Sequence, residues 1–194
     1  MYRYAEGTGA RFNEITDLDF LSSTELICTD RHNHCLRLVD LSLSPPTVST
    51  FAGSCTVPGI ADGHRLSLAL FRYPAYAEVN NNNSIMFVFD DYKKVRKIDL
   101  KMDIVSTLVT LKFPTAHMKL VCDSLLYFAQ GTRVTIFSLR TKEESVVAGG
   151  DSRGVAIGSF EDTRFEYACG LWLWRDKEKT LLLAADYSSN RFVG

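Results

Sequence analysis

Helical periodicity is what this chain has least of: apolar residues rarely recur at three- and four-residue spacing over a helix-length window, which argues against a helical bundle. No apolar run approaches the roughly 18 residues of a membrane-spanning helix. The opening residues, Met1-Tyr2-Arg3-Tyr4-Ala5-Glu6-Gly7, lack the apolar core of a secretory signal. An excess of one charge sign is missing too. Lys plus Arg number 22 against 23 Asp plus Glu, a net charge of -1, so no global field draws the chain to nucleic acid or to an anionic membrane surface, and neither is an expected partner. The short basic stretches at 93–97 and 175–179 read as solvated strand edges and turns.

Catalytic and metal-binding signatures are equally scarce. The five cysteines (Cys28, Cys35, Cys55, Cys122, Cys169) contain no C-x-x-C pair, which removes the spacing of a zinc cage. Cys28 and Cys35 fall where a tight hairpin sets two strands opposite, but strand pairing alone establishes no disulfide, and most of the five read as small buried hydrophobes. No G-x-S-x-G elbow occurs, and the glycine-rich stretch 53–63 lacks the Lys-Ser/Thr of a phosphate loop. Cys122 and Cys169 lie in apolar runs that disfavour a thiolate. Asp90-Asp91 and Glu143-Glu144 fall at turns, where solvent exposure is the simple expectation. No catalytic residue, resident metal or cofactor is therefore assigned, and the chain is expected not to be an enzyme.

What the chain does have is a phrase used twice. Ala52-Gly53, Gly59, Asp62-Gly63 and Phe71-Arg72-Tyr73-Pro74 form one copy; Ala148-Gly149-Gly150, Gly154, Gly158, Glu161-Asp162 and Phe165-Glu166-Tyr167 form the other. Each follows a β-branched run and leads into a new apolar strand, the signature of a repeat architecture. Strand-length runs bounded by turn residues recur at 15–20, 25–29, 34–39 and 47–51, four antiparallel strands in the space of one propeller blade. The pattern predicts an all-β propeller of four-stranded blades within a single 1–194 region. Its blades lie at about 12–53, 71–109, 113–149 and 165–194, the last lacking its fourth strand. With 46% hydrophobic residues the chain is large enough to bury a core.

The segment Thr29-Asp30-Arg31-His32-Asn33-His34-Cys35-Leu36-Arg37 resembles the signature of NHL-repeat β-propellers, matching it at Asp30, Asn33, His34, Leu36 and Arg37. Ala185-Asp186 through Asn190-Arg191 repeats it without the His, 94–99 keeps the outgoing strand with Arg96, and 130–134 is the weakest copy. Propellers of that family usually carry six blades, so the resemblance implies an incomplete propeller, a fragment of a larger protein. The alternative is a closed four-bladed ring, with residues 1–5 supplying the outer strand of the last blade. Turn and strand chemistry accounts for Asp30, Arg37, Asp99, Asp186 and Arg191: the carboxylates accept nearby backbone N–H groups and the arginines reach neighbouring strands.

The expected function is a non-catalytic protein-interaction or ligand-binding scaffold that meets a protein partner through loops on a propeller face. The linkers at 54–70 and 151–164 are the variable loops, with Arg65, Arg72, Tyr73 and Arg153 as anchor residue types, while Phe71 is expected to pack between blades. The alternative is a metal-dependent propeller enzyme. His32-x-His34 would set two imidazoles on one side of an extended segment, but spacing adds no third ligand from His64 or His117. The partner and the binding residues stay unassigned at this level.

Overall fold

The computed structural model describes residues 5–159, 162–175 and 180–193. Residues 1–4, Glu161 and the basic stretch 176–179, on which some of the readings above fall, lie outside them. The chain divides into two compact units, Met1–Leu111 and Lys112–Gly194. In the first unit, β1 (Ala5–Glu6), β2 (Ile15–Phe20), β3 (Glu25–Asp30), β4 (Cys35–Asp40) and β5 (Thr47–Ala52) form one sheet in the order β1-β5-β4-β3-β2. Next, β6 (Gly63–His64), β7 (Tyr76–Val79), β8 (Ile85–Asp90), β9 (Lys94–Asp99) and β10 (Ile104–Thr110) form a second, ordered β6-β10-β9-β8-β7. The second unit holds the four-stranded meander β11 (His117–Val121), β12 (Leu125–Ala129), β13 (Arg133–Ser138) and β14 (Glu144–Gly149). Its other sheet is three-stranded: β15 (Ala168–Arg175), β16 (Thr180–Asp186) and β17 (Arg191–Val193). These four small antiparallel sheets are arranged as propeller blades.

Two details depart from expectation. The first two blades carry a fifth, two-residue strand on the outer edge. In the first blade that strand is Ala5–Glu6, which pairs with Val48 and Thr47. Ala5 and Glu6 thus extend the first blade; the rest of the 1–5 segment invoked by the closed-ring alternative lies outside the described residues.

One register recurs through all four blades and explains the repeat chemistry. Asp30 stands opposite Cys35, Asp90 opposite Lys94 and Asp186 opposite Arg191, and Gln130 donates its backbone N–H to Arg133. Two residues further along the outgoing strand come Arg37, Arg96, Thr135 and Val193. Arg191 therefore occupies the place of Cys35, not that of Arg37 as the sequence alignment had it. The carboxylates are also not local turn caps. Asp30 accepts Asn13 N–H at 2.7 Å, Asp90 accepts Arg72 N–H at 2.7 Å, and Asp186 accepts Tyr167 N–H at 2.7 Å. In each case the entry of the blade is tied to the end of its second strand. Asp99 does make the local arrangement, accepting Lys101 and Met102 N–H at 3.1 Å each.

In the first two blades the buried carboxylate then meets a buried guanidinium, Asp30–Arg37 at 3.2 Å and Asp90–Arg96 at 3.0 Å, all four side chains at 0% exposure. Asp90 is thus wholly buried, against the expectation of an exposed turn residue. The arginines also stack on the re-entry aromatics, Arg37 on Phe12 at 5.5 Å and Arg96 on Phe71 at 5.1 Å. In the third blade Gln130 and Thr135 replace the ion pair, bonded at 3.0 Å, and Arg133 takes over the stacking on Phe113 at 4.0 Å.

Between the two blades of the first unit, Ile27, Leu36 and Phe51 pack against Phe71, Met86 and Val88 in one core. The inner edge of β7 is closed by β2 side chains: Asp17 accepts Ala77 N–H at 2.8 Å, Asp19 accepts Val79 N–H at 3.0 Å, and Thr16 donates to Ala75 O at 2.7 Å. These bonds satisfy backbone groups that an edge strand would otherwise leave open. In the second unit, Leu171 and Ala184 of the last blade pack on Ala129 and Val134 of the blade before it.

Candidate binding surface on the first unit

Four connections of the first unit converge at one end of its strands: the entry to β2, the β3–β4 loop, the entry to β7 and the β8–β9 loop. They bring Glu14, Arg31, His32, His34, Arg72, Tyr73, Asp91 and Tyr92 together. The β3–β4 loop is a single 3-10 turn, Arg31–Asn33, followed by His34 in left-handed conformation. His32 and His34 are therefore not on one extended segment, as the sequence reading supposed. Both rings nevertheless meet the same partner edge-on: Tyr73 lies 4.8 Å from His34 and 5.7 Å from His32, and Tyr92 lies 5.7 Å beyond it.

The imidazoles are already engaged. His34 Nδ1 accepts Tyr73 N–H at 3.2 Å. Partial burial, with the charges of His32 and Arg72 nearby, holds its pKa below the usual histidine range. Nε2 of His32 lies 2.9 Å from Glu14, whose other oxygen takes Arg31 at 2.6 Å. Among the described residues no three His, Cys, Asp or Glu side chains stand together as metal ligands.

Five of these residues share an uncommon backbone. Glu14, His34, Tyr73, Asp91 and Tyr92 have φ of +62°, +61°, +59°, +48° and +61°. Positive φ costs energy in non-glycine residues and clusters where a surface is held for a purpose. Tyr92 is 50% exposed, and the half-exposed Arg72 guanidinium lies 4.0 Å from Asp91. The surface offers two tyrosine rings, a half-exposed imidazole and a guanidinium, the residue types that carry interface energy.

The other candidate anchors divide. Arg65 is no free anchor: it donates to Phe51 O and to Asp103, both at 2.5 Å, and stacks on the Phe51 ring. It forms one wall of a groove of about 570 Å³ at the opposite end of the same two blades, over Leu38 and Leu100. Arg153 is exposed, Phe71 is fully buried between blades, and His64 lies exposed on the short β6. His117 is half-buried on β11 in the second unit, where burial pushes its pKa down to about 4.

Cys35 is disulfide-bonded to Cys55, tying the repeat strand to the linker that follows it. Cys28 is buried, its thiol pushed up to about 11 mainly by desolvation. Cys122 is exposed in the turn after β11, not in a strand as its apolar surroundings had implied. The convergence of Tyr73, Tyr92 and the histidines left no signal in the sequence beyond the His32-x-His34 pair, because it joins loops some forty and sixty residues apart.

No family model matches the chain, and no curated protein matches it in sequence. Among solved structures it is similar to an auxiliary nutrient binding protein from Bacteroides ovatus (TM-score 0.70, 10% identity), over 94% of this chain and 45% of that one. It is also similar to a protein of unknown function from Bacteroides thetaiotaomicron (TM-score 0.62, 11% identity), over 96% of this chain and 42% of that one. The likeness is one of fold, and the chain spans less than half the length of either.

Proposed function

We propose that this chain is a run of NHL-type propeller blades serving as a non-catalytic binding module, with a protein partner docking on the Tyr73–Tyr92–Arg72 surface of the first unit. The observation that carries the reading is the cluster of five positive-φ residues at one loop face. Tyr73 and Tyr92 meet there at 5.7 Å, with the half-exposed Arg72 beside them. The Asp–Arg pairs and stacked phenylalanines support the NHL-type reading. A solved protein of similar fold bears the description "auxiliary nutrient binding", which agrees with a binding role.

Site-specific photo-crosslinking tests the surface. With the crosslinking group at position 92, a defined partner is expected to attach, and Arg72→Glu should abolish the adduct. The same group at Met102, 69% exposed on a loop at the other end of the blades, should capture nothing. Equal capture at both positions would remove the proposal. Metal analysis separates it from the metal-dependent enzyme reading: a stoichiometric, tightly held ion lost on His32→Ala and His34→Ala would favour the enzyme.

A further inference from the structure

The common register makes every blade comparable residue by residue, and it exposes an imbalance. The position after the residue opposite the repeat Asp is Leu36 in the first blade and Phe192 in the last. In the third blade it is Val134, one past Arg133. Leu36 is 0% and Val134 3% exposed, each covered by the next blade, whereas Phe192 is 76% exposed. The same holds three residues before the Asp, where Ile27 is fully buried and Leu183 only partly.

Around Phe192 the face continues through Trp172 (66% exposed, opposite Leu183) and Trp174 (41%, opposite Leu181). Neither Trp is needed for the packing of the last blade on the third, which uses Leu171, Leu182, Ala184 and Val193 on the opposite side of the sheet. An apolar sheet face this open marks a contact surface.

The first blade shows the complementary imbalance. Leu18 lies opposite Cys28 and is 54% exposed; its counterpart in the second blade, Ala77 opposite Val88, is 3% exposed beneath the first blade. Phe20, on the same side as Leu18, is 58% exposed. One chain thus carries, uncovered, both halves of the contact it makes inside each unit: a face of the type that receives a following blade, and a face of the type that a preceding blade covers. The exposed side chains named on both faces are apolar, and the Asp30–Arg37 pair on the Leu18 side of the first blade is wholly buried.

We propose that these two faces bind each other between copies of the chain, the Trp172–Trp174–Phe192 face of one copy seating on the Leu18–Phe20 face of a second, head to tail. Such a contact is heterologous: the two surfaces differ, so either can be destroyed alone. The wild-type chain is expected to associate in a concentration-dependent manner in sedimentation velocity. Its only two tryptophans lie on this face, so dilution should shift their emission to the red and raise quenching by acrylamide.

Trp172→Glu and Phe20→Glu should each weaken association at least about tenfold. Both substitutions sit at exposed positions, and circular dichroism checks that each variant folds. Mixed one to one, the two variants should recover a heterodimer, because each keeps the face the other has lost. A wild-type chain that stays monomeric with concentration-independent tryptophan emission would overturn the proposal. So would loss of association from one substitution only, or failure of the mixed variants to pair, since those results describe a like-with-like contact or another occupant of the face.

Discussion

At the scale of single residues, the buried Asp–Arg pairs are where charge and burial compete. Removing one partner from such a pair leaves the other unpaired, a loss of about 3–5 kcal/mol, so they act more as a lock on blade geometry than as a source of stability. Asp90 shows the competition most clearly. Burial pushes its carboxyl up to about 7, against the opposing pull of Arg72 N–H and Arg96. Arg96 also serves Asp62 at 2.9 Å, so one guanidinium is shared between two carboxylates. Because the folded pKa lies above the unfolded value near 3.9, the native state holds the proton longer. The contribution of Asp90 to stability is therefore fully present below about pH 4 and is lost as pH rises toward 7. Urea unfolding of wild type and Asp90→Asn between pH 4 and 7 checks this: the substitution should lie closer to wild type at neutral pH than at pH 4.

At the scale of elements, the doubled Ala-Gly phrase has one physical cause in both copies. Gly53 and Gly149 end a blade with φ of +89° and +82°. A Cβ at Gly53 would stand 2.8 Å from the Phe71 ring, and one at Gly149 would stand 2.9 Å from the Phe165 ring and against the Thr132 carbonyl oxygen. Glycine is thus required twice over, by backbone conformation and by the aromatic that opens the next blade. Gly149→Ala should cost about 2 kcal/mol or more. Gly150→Ala, where an added Cβ meets nothing within 4 Å, should stay within about 0.5 kcal/mol. Chemical denaturation of the two variants side by side reads the difference.

For the whole molecule, the two units should answer acid differently. His117 of the second unit has its pKa pushed down to about 4 by burial, aided by Lys119. A histidine depressed in this way stabilises the folded state fully above about pH 6.5, and that stability is lost as pH falls toward 4, on the order of 2–3 kcal/mol. This slope is opposite to the one from Asp90 in the first unit, where His34, also depressed, opposes Asp90 in part. Hydrogen exchange resolved by segment, at pH 4.5 and 6.5, should show protection of 112–194 falling with acid, and His117→Gln should flatten that change.

The all-β class, the four-stranded sheets and the glycine-aromatic linkers were readable because each rests on contacts within a few residues: alternation, turn chemistry and positive φ are local. Asp30 and Asp99 were recognisable as architectural on the same grounds. Their roles still divided, since one bonds a residue of the blade entry and the other its own turn. Arg191 looked like Arg37 in the linear pattern, and only the strand register showed it to stand two positions away. The Cys35–Cys55 bond, the burial of Asp90, the engagement of Arg65 and the meeting of His32, His34, Tyr73 and Tyr92 all join segments that local rules leave independent. The amino-acid order by itself therefore determined the blades, whose hydrogen bonds close between neighbouring strands. The tertiary structure alone decided which loops meet and which apolar faces stay open, because those depend on how one completed sheet packs against the next.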